Sequence, residues 1–156
     1  MLSQESLAKI DQEIAKYPLE HKQSAVMAAL RIAQDEHGWL SVPLMDYIAE
    51  LLAMRPIQVY EVATFYTMYD LKPGGRHKIS VCTNISCLLR GSDDIVAHLK
   101  GRLGIGFGET TADGRFTLKE VECLAACGGA PMFQVDKTYY ENLTPARIDE
   151  ILLGLE

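Results

Sequence analysis

Apolar positions along this chain recur with two periods, and the change falls near residue 75. Before it the spacing is helical. Leu7, Ile10, Ile14 and Tyr17 follow one another at three- and four-residue intervals, and Pro18 closes that segment. Ser24 to His37 repeats the pattern, with Gly38 placed as a C-terminal cap. Pro43 to Met54 predicts a third helix, with Ser41 or Val42 near its start. Arg55-Pro56 breaks it, and Pro56 suits the first turn of a fourth, PIQVYEVATFYTMYDL, over residues 56–71. Four apolar stripes need one another, so a small bundle is the expected outcome.

After Lys72-Pro73-Gly74-Gly75 the period shortens. HKISV, residues 77–81, alternates as a strand that ends at Cys82. Asp93 to Leu103 has helical spacing, and a connector with Gly101, Gly104, Gly106, Gly108 and Gly114 follows. Phe116 to Val121 predicts a second strand running into Cys123. Met132 to Val135 and Lys137 to Tyr140 flank a turn at Asp136, as a hairpin does. Thr144-Pro145 opens a closing helix, with Thr as N-cap and Pro in the first turn. The fold class is therefore α+β: a helical bundle over 1–75, then a β-α-β-β-α domain over 76–156.

Composition narrows the function by exclusion. A formal net charge of −6 and the lack of any Lys/Arg cluster argue against a nucleic-acid partner. The first residues, MLSQESLAKIDQE, are acidic and amphipathic and carry no secretory pattern. No apolar run approaches the roughly 18–20 residues that cross a bilayer, so direct membrane insertion is not expected and a cytoplasmic location is. There, paired cysteines are more often metal ligands or redox groups than disulfides.

The chain has four cysteines, in two pairs: Cys82 and Cys87 in CTNISC, Cys123 and Cys127 in CLAAC. Structural zinc usually takes Cys-x2-Cys knuckles, and both intervals here are longer. A thioredoxin-type dithiol needs Cys-x-x-Cys, which is absent. Four thiolates on two longer loops suit a [2Fe–2S] cluster, with two sulfurs to each iron. Zinc, or disulfide and dithiol chemistry, remain the alternatives. Ile85, Leu88, Leu89, Leu124, Ala125, Ala126, Pro131 and Met132 offer the cysteines an apolar wrap or are ordinary core, while Arg90, Lys119 and Glu122 are candidate charges to tune them, with surface solvation as their first reading. His21, His37, His77 and His98 are not spaced as further ligands. Phe65, Tyr66, Met68 and Tyr69 predict internal packing first and a partner face second. Trp39 predicts a packing role at the end of its helix. Gly104-Ile-Gly106-Phe-Gly108 lacks the spacing of a dinucleotide loop.

The run DGRFTLKEVECLAACGGAP, Asp113 to Pro131, resembles the signature of the small [2Fe–2S] subunit of the NADH-dehydrogenase module of respiratory complex I. Asp113, Phe116, Thr117, Cys123, Leu124, Cys127, Ala130 and Pro131 fit it. Ala125 stands where the signature has Gly, so a methyl group enters that loop. VCTNISCLLRGS resembles the family's first cysteine loop, and EVATFYTMYDLKPGG the region before its ferredoxin domain. The resemblance implies a thioredoxin-like ferredoxin domain with one [2Fe–2S] cluster on Cys82, Cys87, Cys123 and Cys127, and a helical half used for docking. It also implies a larger partner subunit that binds FMN and NADH, further peripheral-arm iron–sulfur subunits, and a place in the peripheral arm of a membrane-associated complex. The expected role is electron transfer in NADH:quinone oxidoreductase, with no complete active site on this chain. Related small subunits serve NAD-linked formate dehydrogenases and hydrogenases, and a zinc-stapled interaction module is the reading from another class.

Overall fold

A computed structural model describes residues 1–155, and the chain divides into two compact units, Met1–Pro73 and Gly74 onward. The first contains α1 (Gln4–Ile14), a 3₁₀ segment (Leu19–Ala25), α2 (Val26–His37), α3 (Val42–Leu52) and α4 (Pro56–Phe65). The second contains β1 (His77–Cys82), α5 (Ile85–Leu89), α6 (Ser92–Leu103), β2 (Phe116–Val121), a 3₁₀ turn (Cys127–Gly129), β3 (Phe133–Val135), β4 (Thr138–Tyr140) and α7 (Pro145–Gly154).

In the first unit Ile10, Leu30, Leu40, Ile48, Leu52 and Val59 are buried together, one or more from each helix and one from the α2–α3 link. Ser3 caps α1 by accepting the Ser6 N–H, and its own N–H and hydroxyl both donate to Glu36 at the end of α2. Gly38 ends α2 at φ +79°, a conformation that costs glycine nothing. Three boundaries differ from the apolar pattern, besides α3 ending at Leu52 rather than Met54. Helix α1 stops at Ile14, so Tyr17 lies beyond it and is exposed. A 3₁₀ segment takes the chain from Leu19 to Ala25, and α2 begins at Val26 rather than at Ser24.

The third difference is larger. Helix α4 ends at Phe65, and Tyr66 is extended. One side chain from α2, Gln34, competes for the backbone that would have continued it. Gln34 accepts the Asp70 N–H at 2.6 Å and donates to the Met68 carbonyl at 3.0 Å. The Tyr69 hydroxyl donates to the Met27 carbonyl at 2.9 Å, and Tyr69 is buried. Phe65, Tyr66 and Met68 are left exposed, so internal packing holds for Tyr69 alone of the four. Trp39 is half-buried and lines a cleft with Pro43 and Tyr47.

The second unit is built on a four-stranded sheet of order β2-β1-β3-β4. Strands β1 and β2 are parallel, with Ile79 beside Leu118 and Cys82 beside Val121; β3 lies antiparallel to β1, and β4 to β3. Ile79, Val81, Leu118 and Phe133 on one face bury themselves with Leu99 of α6 and Ile148 of α7. The hairpin turns at Asp136, φ +53°. The sheet has one strand more than the β-α-β-β-α string, because both arms of that hairpin pair, and α5 is a further helix that string omits.

Candidate metal centre

Parallel pairing of β1 and β2 is what brings the two cysteine loops to one end of the sheet. Cys82 is the last residue of β1, and Cys123 follows β2 by two residues. The Cys82 thiol meets the Glu122 carbonyl at 3.8 Å, so the contact from Glu122 is through its backbone. Asn84 then caps α5, its side-chain oxygen accepting the Ile85 N–H at 2.6 Å. That turn points Cys87 inward, where it is buried with Cys82, Ala130 and Met132, and Leu124 and Ala126 pack at the edge.

A helix turns about 100° per residue, so burying Cys87 sends its neighbours outward. Ile85 is 66% exposed, Leu88 47% and Leu89 80%. The apolar wrap expected around the first pair is thus corrected. Ala130 and Met132 supply it, with Leu124 and Ala126 partly buried, while Ile85, Leu88 and Leu89 face outward.

The second loop lies at the surface, with Cys123 and Cys127 both exposed. Ala125 adopts φ +58° and donates its N–H to the Cys123 sulfur at 3.2 Å. Strand β4 and the segment after it hold this loop. Tyr139 donates its hydroxyl to the Leu124 carbonyl at 2.9 Å. The Asn142 N–H donates to the Gly129 carbonyl at 2.7 Å, and the Leu143 N–H to that of Pro131 at 3.0 Å. Glu141 lies so close to Gly129 that a Cβ there would come within 2.6 Å of the Glu141 Cβ.

All four cysteines are free thiols. Burial, followed by a hydrogen bond and charge from Cys82, pushes the Cys87 thiol up to about 11, and the charge of Cys127 adds to this. Packing several incipient thiolates together is unfavourable unless a cation neutralises them. Four free cysteines are a donor set that a thiolate-bound iron–sulfur group takes. Among the described residues no three His, Cys, Asp or Glu side chains stand close enough to hold a metal ion.

The other signature positions build the scaffold. Asp113 accepts from the Thr111 hydroxyl at 2.5 Å and from the Arg115 N–H at 2.9 Å, fixing the turn into β2. Phe116 is buried in the core, and Thr117 accepts the Gly75 N–H at 2.6 Å. Of the charged candidates, Arg90 is exposed, and Lys119 is half-buried with its pKa drawn down by that burial. His77 pairs with Asp136 and His98 with Asp149. Sequence reasoning missed Tyr139 and Asn84, the first because its partner lies across the fold, the second because it caps a one-turn helix.

A sequence profile of thioredoxin-like [2Fe-2S] ferredoxins matches residues 10–156. The chain belongs to that family. It is 48% identical to a subunit of the NADH-quinone oxidoreductase of Rickettsia bellii, over 94% of this chain and 89% of that one. It is 44% identical to the mitochondrial NADH dehydrogenase [ubiquinone] flavoprotein 2 of Dictyostelium discoideum, over 96% of this chain and 61% of that protein. In fold it is similar to part of a NAD+-reducing [NiFe]-hydrogenase, at a TM-score of 0.70 and 21% identity, over 81% of this chain and 22% of that one.

Proposed function

We propose that this chain is the electron-transfer subunit of an NADH:quinone oxidoreductase, carrying one [2Fe–2S] cluster on Cys82, Cys87, Cys123 and Cys127. The observation that carries the reading is the delivery of four free thiols to one end of a sheet, in a chain whose relatives over nearly its whole length are subunits of that enzyme. The cluster, when bound, supplies a one-electron store. Around it the chain binds, orients and excludes water. Cys82 and Cys87 hold from the buried side, with Met132 and Ala130 closing that side to solvent. Cys123 and Cys127 hold from the outer loop, whose backbone is fixed by Tyr139 of β4 and by the segment that follows β4. The exposed loop faces the side from which electrons arrive, from a larger partner subunit that binds FMN and NADH.

The helical unit serves docking within that complex, alongside further iron–sulfur subunits of a peripheral arm on the cytoplasmic side of the membrane. Exposed Phe65, Tyr66 and Met68 are its contact residues, held on a backbone that Gln34 and Tyr69 fix. No helix among the described residues is long and apolar enough to cross a membrane.

Iron and acid-labile sulfide assay, with electron paramagnetic resonance before and after dithionite, tests the reading on anaerobically purified protein. About two irons and two sulfides per chain and a paramagnetic signal on reduction are expected. Alanine at any one of the four cysteines should cost most of that iron. One zinc, no sulfide and no signal would sink the proposal.

A further inference from the structure

One peptide unit in the second cysteine loop is held at both ends. The carbonyl of Leu124 accepts the Tyr139 hydroxyl at 2.9 Å, and the N–H of the same peptide, on Ala125, donates to the Cys123 sulfur at 3.2 Å. The left-handed backbone at Ala125, φ +58°, accompanies this N–H···S bond. Tyr139 is itself placed by the sheet. It sits on β4 opposite Gln134 of β3, and its ring is half exposed, so the hydroxyl is aimed by strand pairing rather than by a tight pocket.

We propose that Tyr139 is a positioning residue that raises the reduction potential of the group held by Cys123, acting through the Leu124–Ala125 peptide. The inference rests on the cluster-binding function proposed above. A hydrogen bond accepted by an amide oxygen draws electron density toward it and makes the N–H of that amide a better donor. Such coupling strengthens each bond by ~10–30%. One-electron reduction adds one negative charge to the metal–sulfur group and breaks no bond to the protein. A stronger N–H donor at a ligand sulfur stabilises that added charge, so it favours the reduced state. The same bond keeps the peptide from flipping its N–H away from the sulfur. Removing the hydroxyl weakens the donor and frees the peptide, and both effects lower the potential.

The test is Tyr139→Phe in the full-length protein, beside a protein with 3-fluorotyrosine placed at position 139 alone. Fluorination makes the hydroxyl a stronger donor with almost no change of shape, so the two replacements should act in opposite directions. Iron, sulfide and the reduced paramagnetic signal are measured first, on the unaltered chain. If that chain holds no cluster, the functional reading fails, and this inference with it. If it does, redox titration followed by that signal decides the matter. Tyr139→Phe should disfavour reduction by about threefold, about 28 mV more negative at 59 mV per tenfold for one electron. Fluorotyrosine should move the midpoint the other way. Unchanged midpoints in both would overturn the inference while leaving the function intact. A negative shift in both would also overturn it, because it would report a disturbed loop rather than donor strength. If the Phe variant fails to retain iron, the fluorotyrosine protein alone decides: a positive shift supports the inference, and no shift overturns it.

Discussion

Ala125 holds a backbone conformation in which a Cβ costs roughly 1–2 kcal/mol, at φ +58°. Ala125 itself is exposed. A glycine at this position meets that torsional demand at no cost. Ala125→Gly should stabilise the folded chain by up to about 1 kcal/mol, the strain relieved less the extra freedom glycine gains when unfolded. Thermal unfolding of the two proteins side by side measures it; a clear loss of stability would mean that the strain is absent. Position by position, the sequence is most legible where the physics is local. Gly38 as a cap, and Thr144 accepting the Arg147 N–H, are written in neighbouring residues. Tyr139 is not, because the carbonyl it meets belongs to a residue 15 positions earlier and is adjacent only after the sheet has formed.

Among the elements, β2 depends on the turn that introduces it. The Thr111 hydroxyl, then the Arg115 N–H, hold the Asp113 carboxyl below its usual value of 3.8. A carboxylate depressed in the folded state stabilises it above the unfolded pKa, and that contribution disappears as pH falls through the lower folded value. Asp113→Ala should therefore lower the urea midpoint at neutral pH and flatten its decline below about pH 4. An acid limb as steep as that of the unaltered chain would rule this out. Strands β1 and β2 and the cap of α7 follow the apolar and capping patterns closely. The end of α4 and the whole of α5 do not. Helix α4 is stopped by Gln34, which no local window contains. Helix α5 is a single turn, too short for any periodicity, and Asn84 was its one written sign.

For the molecule as a whole, the exposed apolar side chains among the described residues include Phe65, Tyr66 and Met68 in the helical unit, and Ile85, Leu88 and Leu89 on α5 beside the first cysteine pair. The first three are the surface proposed for docking. Ala replacements at Phe65 and Met68 should weaken association with the flavin-bearing partner by about 10- to 100-fold, the scale of losing an interface anchor. Iron content should stay unchanged. Copurification and iron assay on one preparation separate the two effects, and undiminished association would remove these residues from the interface. The parallel pairing of β1 with β2 carries a consequence for biogenesis. Each cysteine pair is local and exists in any unfolded chain, but the two pairs become neighbours only when His77–Cys82 lies beside Phe116–Val121 across the intervening α5, α6 and glycine-rich link. Closing that distance is a slow, non-local event. On the proposed ligand set, a nascent chain thus offers a metal donor two incomplete half-sites, and completion of the cofactor records that the polypeptide has already folded.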